Sequence, residues 1–296
     1  MNLHTQRHQP IVFAHRSCPL CKSTAVRLWR IVSRQYADRV YQLSLGRCNQ
    51  CAFVFLLNNP QIEYDEDYLY NEKVVTTNDI LACFRAKERI VSIAQFVPPA
   101  PEHRFLDIGI GDGLLLSLAE SAGYSTFGLD VNPVGVEMAR KQYHLQTDVS
   151  LDPPEKAFPF PDQQFDVIHM NEVIEHIADP MLLIRWCRQH LNRGGCLVIQ
   201  TGNLNSLASR IKGADWDYFR PVHVSYFSTR TLSYAVQQAG YEIVRCVTMD
   251  WRFKSVLRVV NYLLRHDGVM RALRFLTLYI TALPHGIRRS VLVYAV

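Results

Sequence analysis

From about residue 104 to residue 250 the apolar positions alternate between two patterns. Short runs of four to eight residues, too brief for helices, sit at 104–108, 125–130, 165–170 (FDVIHM), 196–201 (CLVIQT) and 242–249 (EIVRCVTM). Such runs, flanked by glycine and proline, read as buried strands. A weaker one lies near 144–148. Between them lie segments whose apolar residues recur every three or four positions, at 113–122, 133–142, 180–191 and 229–239. Asn132-Pro133 and Asp179-Pro180 each place a capping side chain before a proline that suits the first helical turn. Gly123 and Gly240 stand where two of these helices end. Upstream, Thr77 or Asn78 can cap a helix reaching about Phe96, with Ile80, Leu81, Phe84, Ile90 and Ile93 on one side. Pro98-Pro99-Ala100-Pro101 stops it. The prolines at 153, 154, 159 and 161 mark a loop. Strands alternating with helices predict an α/β fold with a doubly wound, mainly parallel, Rossmann-like sheet.

The first strand runs straight into three alternating glycines: FLDIGIGDG, residues 105–113. Gly109, Gly111 and Gly113 allow positive φ and let a ligand approach the backbone. The helix that follows presents unpaired N–H groups at its start. Asp130 closes the next strand, with Val131 beside it. An acidic residue there is placed to bind ribose hydroxyls.

These segments resemble the class I S-adenosylmethionine-dependent methyltransferases. FLDIGIGDG is similar to their first motif and GLDVNP to their second. FDVIHMNEVIEH (165–176) resembles the fourth-strand segment, and LNRGGCLVIQTGN (191–203) the turn and fifth strand. A nicotinamide enzyme is the other reading of a glycine-rich turn, but Gly111-Asp112-Gly113 breaks the GxGxxG spacing. The resemblance implies that S-adenosylmethionine is the cofactor. It places Asp107 at the glycine loop and the amino end of the cofactor, Gly109, Gly111 and Gly113 against its amino-acid portion, and Asp130 at the ribose. Asp148 is expected near the adenine, and Asn171 and Glu172 at the cleft. It also implies a seventh, antiparallel strand in the sheet, for which SVLVYAV (290–296) is the match.

Ahead of this region stand Cys18-Pro-Leu-Cys21 and Cys48-Asn-Gln-Cys51. Two such knuckles can close a four-thiolate Zn²⁺ site with no open position. The residues between them read as two strands and a turn, and AFVFLL follows. The whole is a zinc-ribbon-like module in which metal stands in for a small core. Two disulfides are the alternative pairing. A ribbon followed by this core resembles bacterial methyltransferases of sugars, polyketides and envelope components, which implies a small-molecule or glycan acceptor. The chain divides into the ribbon at 1–58, a linker and helix at 59–98, the core at 99–250, an insertion at 251–289, and a terminal strand at 290–296.

Composition limits the rest. The 296 residues are 48% hydrophobic, enough for a packed core, and the net charge of +5 marks no obvious polyanion binder. Reduced cysteines, no signal-like leader and no 18-residue apolar run point to a cytoplasmic protein. Cys83, Cys187, Cys196 and Cys246 are expected to be buried thiols. The 251–289 insertion holds eight Lys or Arg against one acid, Asp267, with apolar residues at helical spacing. It reads either as lid helices with a solvated basic face or as a peripheral contact with anionic membrane. The ribbon carries Arg47 and Lys22 but no dense basic stripe, so nucleic acid is not the expected partner; an RNA methyltransferase using the ribbon and the insertion, and a non-catalytic scaffold that only binds the cofactor, are the alternative readings.

The remaining chemistry lies in two segments. WDYFRPVHVSYFS (216–228) resembles the family's H-x-x-Y-F-S stretch. Its aromatic residues Trp216, Tyr218, Phe219, Tyr226 and Phe227 can wall an acceptor pocket. His223 is the candidate catalytic base, with a structural hydrogen-bonding role as the alternative. Glu172 and His176 would share a helix face, and with Glu175 they can hold a divalent ion. The other reading is that His176 packs near the cofactor.

Overall fold

The computed structural model describes residues 17–36, 39–58, 80–143, 160, 162–249 and 290–296. The expected third strand at 144–148, Asp148 within it, and the 251–289 insertion lie outside these residues.

In chain order the elements are β1 (Val26–Tyr36), β2 (Arg39–Cys48), β3 (Val54–Leu56), α1 (Ile80–Ile93), β4 (Arg104–Ile108), α2 (Leu114–Ala122), β5 (Ser125–Leu129), α3 (Pro133–Tyr143) and β6 (Phe165–Asn171). There follow α4 (Pro180–His190), β7 (Leu191–Gly202), α5 (Leu207–Lys212), β8 (Ser225–Tyr226), α6 (Thr229–Gln238), β9 (Ile243–Met249) and β10 (Ser290–Ala295).

Among the described residues, six strands form the main sheet, in the order β5-β4-β6-β7-β10-β9. The first four are parallel. β10 is antiparallel to both β7 and β9, as the family resemblance implied for the terminal run. Both faces are covered. Ile90 and Ile93 of α1, Leu116 and Ala119 of α2, and Val136 and Ala139 of α3 pack on one side, against Phe105, Val167 and Val198. Met181, Ile184 and Cys187 of α4 and Leu232, Ala235 and Val236 of α6 pack on the other, against Leu106, Ile168 and Leu197. Burial on both faces explains why the strands are nearly unbroken apolar runs. The order runs outward in both directions from β4 and β6, so a crevice opens beyond their carboxyl ends.

The helix starts follow their side chains. Asn132 Oδ1 accepts from the Gly135 amide at 3.3 Å, and Asp179 Oδ1 from the Leu182 amide at 3.4 Å. Ser228 and Thr231 form a reciprocal capping box at α6. One boundary moves. The turn expected at Gly194-Gly195 lies inside β7, which begins at Leu191. Phe165 and Val167 of β6 are matched to Leu191 and Cys196 of β7, so the residues between bulge out of the ladder.

The cysteine-bearing segment folds as read, with a long β1–β2 hairpin between the knuckles and β3 after the second. Its sheet is not self-contained. The order is β1-β2-β3-β8, and β8 comes from the 216–228 segment. Val54 pairs with Tyr226 and Phe55 with Ser225. The five aromatic residues expected to wall a pocket are all buried. Trp216, Tyr218, Phe219 and Tyr226 join Val32, Leu43, Leu45, Val54 and Leu56 of the hairpin, and Phe227 meets Phe53 at 5.0 Å between ring centroids. Of the four lone cysteines, Cys187 and Cys196 are buried, Cys83 is half-buried and Cys246 is exposed. No helix among the described residues is long and apolar enough to cross a membrane.

Candidate functional site

The glycine turn at the end of β4 is held from below. Gly109, Gly111 and Gly113 all have positive φ, at 79°, 56° and 80°. A Cβ on Gly109 would lie 2.3 Å from Val173 Cγ2, so both conformation and space require glycine there. The amides of Gly109 and Ile110 donate to Leu129 O, which ties the turn to the end of β5. Asp130 completes the tie: Oδ2 accepts from the Gly111 amide at 2.8 Å and Oδ1 from the Asn132 amide at 2.9 Å. Burial pushes its carboxyl above the ordinary aspartate range, while those amides pull the other way. A carboxylate offers about four lone-pair directions, so two amides do not exhaust it. Val131, beside it, is half exposed.

Across the crevice, Asn171 ends β6 and its Oδ1 is buried with no hydrogen-bond partner among the described residues. Glu172 follows with φ 57°, a left-handed conformation uncommon outside glycine, and its amide donates to Gln200 O at 2.9 Å. The helix expected to align Glu172 with His176 is absent. Only Ile174–His176 form a single 3₁₀ turn.

That turn carries a second polar group. Glu175 is fully buried, and accepts hydrogen bonds from Thr201 Oγ1 at 2.8 Å and from the Tyr218 hydroxyl. Burial raises its carboxyl, and raises the Tyr218 phenol as well. Tyr218 reaches this position because Gly202 has no side chain. A Cβ there would meet the ring at 2.4 Å, and the Gly202 amide donates to the phenol oxygen instead. His176 and His223 lie edge to face, 4.7 Å between centroids. His176 Nδ1 donates to Val222 O at 3.0 Å and His223 Nδ1 to Tyr218 O at 2.8 Å. Both rings are thereby fixed with Nε2 as the proton-accepting nitrogen. Burial holds His176 down to about 4, so it is neutral near pH 7. Atoms of Glu175, His176 and His223 that can bind a metal lie within 4.8 Å of one another.

Asp107, named from sequence, is 2% exposed, and its Oδ1 lies 2.6 Å from His169 Nδ1. Sequence reasoning missed that histidine, Arg89 and Arg34. For His169 the available signal was an ionisable residue inside a strand read as apolar on both sides. Arg34 of β1 donates to Phe219 O at 3.1 Å, to Trp216 O at 3.2 Å and to Ala214 O, and lies 3.7 Å from Asp215.

The four cysteines of the ribbon converge. Cys18 and Cys51 sulfurs are 3.5 Å apart, as are Cys21 and Cys48, and all four lie within 4.8 Å of one another. Bonded sulfurs would stand about 2 Å apart, so this is not the disulfide arrangement. The hydrogen bond between Cys18 and Cys51 lowers Cys51 to about 5 and, with burial, raises Cys18.

A methyltransferase-domain family profile matches residues 82–245, more than half the chain. The chain belongs to that family. It is 36% identical over 118 residues to a ubiquinone biosynthesis O-methyltransferase of Cereibacter sphaeroides, covering 38% of this chain and 47% of that protein. A protein of the same name from Chelativorans is 39% identical over 118 residues, covering 38% and 46%. The chain thus spans about half the length of these relatives. Among solved structures, an S-adenosylmethionine-dependent methyltransferase from Archaeoglobus fulgidus superposes with a TM-score of 0.50 at 19% identity, covering 78% of this chain and 99% of that one. At that identity the likeness is one of fold, and it is the fold derived above.

Proposed function

We propose that this methyltransferase-family chain moves a methyl group from S-adenosylmethionine to an oxygen of a small molecule. The observation that carries this reading is the glycine turn locked to Asp130 at the crevice where the strand order diverges. The residues suit such a cofactor. Gly111 has open space around it, Asn171 Oδ1 lacks a partner that an ammonium would supply, and Asp130 retains lone pairs for ribose hydroxyls. The bound cofactor supplies a methyl group activated by its sulfonium. The chain's own work is alignment and proton transfer. His223 Nε2 accepts the acceptor's hydroxyl proton as the C–O bond forms. Its Nδ1–H bond to the Tyr218 carbonyl keeps the ring in that tautomer, and His176 beside it stays neutral. Oxygen as the receiving atom is supported by the names of the relatives.

We further propose that Cys18, Cys21, Cys48 and Cys51 hold Zn²⁺. Tetrahedral Zn–S bonds of about 2.3 Å put sulfurs roughly 3.8 Å apart, which the observed spacing fits. Four thiolates leave no open position, so the ion would be structural.

Calorimetry with S-adenosylhomocysteine tests the cofactor reading. One site per chain is expected, and Asp130→Ala should weaken it by about 1–3 kcal/mol, the cost of removing a charged acceptor. Unchanged affinity in that variant would reject the ribose assignment. Extract metabolites that gain one methylene in mass when protein and S-adenosylmethionine are supplied would identify the acceptor.

A further inference from the structure

Among the described residues, a further buried set of ionisable side chains lies below the glycine turn. Asp107 on β4, His169 on β6 and Arg89 on α1 are 2%, 1% and 7% exposed. His169 Nδ1 lies 2.6 Å from Asp107 Oδ1, and His169 Nε2 lies 3.0 Å from Arg89 Nη1. A guanidinium only donates, so Nε2 is the acceptor and the ring proton sits on Nδ1, pointing at the carboxylate. The imidazole is therefore neutral, and burial lowers its proton affinity in the same sense. Arg89 also donates through Nη2 to Gln200 Oε1 on β7. Gln200 is paired in register with Asn171, and its carbonyl accepts the Glu172 amide. One chain of hydrogen bonds thus joins α1 to the ends of β4, β6 and β7 beneath the crevice.

Buried charge of this kind adds little to stability compared with apolar packing. Its placement is informative. Asp107 stands two residues before Gly109, and His169 takes its Oδ1. Resting on the methyltransferase reading, we infer that Arg89 and His169 are positioning residues: through the Nδ1–H bond they fix Asp107 so that Oδ2 receives the α-ammonium at the amino-acid end of the cofactor. The ring is bonded to the guanidinium through Nε2 and to the carboxylate through Nδ1. His169 sets its direction.

Two ligands separate this role from a structural one. S-Adenosylhomocysteine carries the amino-acid end; 5′-methylthioadenosine lacks it. In His169→Phe and Arg89→Met, affinity for the first should fall about tenfold or more, the scale of a hydrogen bond to a charged group, while the second is held. Equal losses for both ligands, or none in folded variants, would overturn the inference. Nitrogen NMR of the unmodified protein covers the case in which the variants do not fold. His169 should be neutral with its proton on Nδ1, and should respond to S-adenosylhomocysteine but not to 5′-methylthioadenosine. The opposite tautomer, or the same response to both, also overturns it. Wild-type protein that binds neither ligand rejects the methyltransferase reading, and this inference with it.

Discussion

Gly109 meets two constraints that can be pulled apart by substitution. Its φ of 79° is strained for any residue with a side chain, and a Cβ would strike Val173 at 2.3 Å. Left-handed strain alone costs on the order of 1–3 kcal/mol. Gly109→Ala should therefore destabilise by at least that much in urea unfolding. Gly109→Ala with Val173→Ala should recover the part due to the clash and keep the part due to φ. Full recovery in the double variant would show that backbone strain at the turn is negligible. Glu172, by contrast, carries positive φ with an ordinary side chain. Strain there sits at the crevice, where such outliers collect.

The hairpin β1–β2 reaches the proposed base through Arg34. That side chain donates to three carbonyls of 214–219, the segment whose Tyr218 carbonyl orients His223. Arg34→Ala would leave those acceptors unpaired, at a cost of about 1–3 kcal/mol. Hydrogen exchange should quicken across 214–226 while the glycine turn is unaffected. Unaltered exchange in that segment would mean the loop holds itself. This contact also shows where sequence reading stops. The strands, the capped helices, the glycine turn and the knuckles were legible because each is set by residues close together in the chain. The aromatic segment was not. Trp216 and Phe219 have the composition of a pocket wall, yet they pack under a sheet whose other strands lie far upstream. His169 was hidden for the same reason, since its meaning depends on Arg89, 80 residues away in sequence and a hydrogen bond away in space. Glu172 and His176 were placed on one helix face by their spacing, and the left-handed turn at Glu172 removed the helix.

The ribbon and the α/β core share one interior. Cys18, Leu20, Cys48, Phe53, Phe55 and Leu57 belong to the same buried cluster as Leu106, Met170 and Phe227. Metal analysis should find one zinc per chain if the four thiolates hold it. Zinc in comparable peptides contributes about 10–16 kcal/mol of binding energy near pH 7, so its removal is not a small perturbation. Because the cluster is continuous, chelation should lower the unfolding temperature of the protein as one transition in calorimetry. A separate early transition, with the core's melting unmoved, would make the ribbon an independent unit.

The pairing of β3 with β8 has a consequence for synthesis. Leu56 and Tyr226 are separated by roughly 170 residues, which a ribosome adding about 5–20 per second takes on the order of ten to thirty seconds to produce. Through that interval the free edge of β3, an apolar strand, has no native neighbour. Exposed edges of that kind recruit other chains. The nascent protein therefore carries this vulnerable edge until residue 226 has been made, and conditions that slow elongation lengthen the exposure.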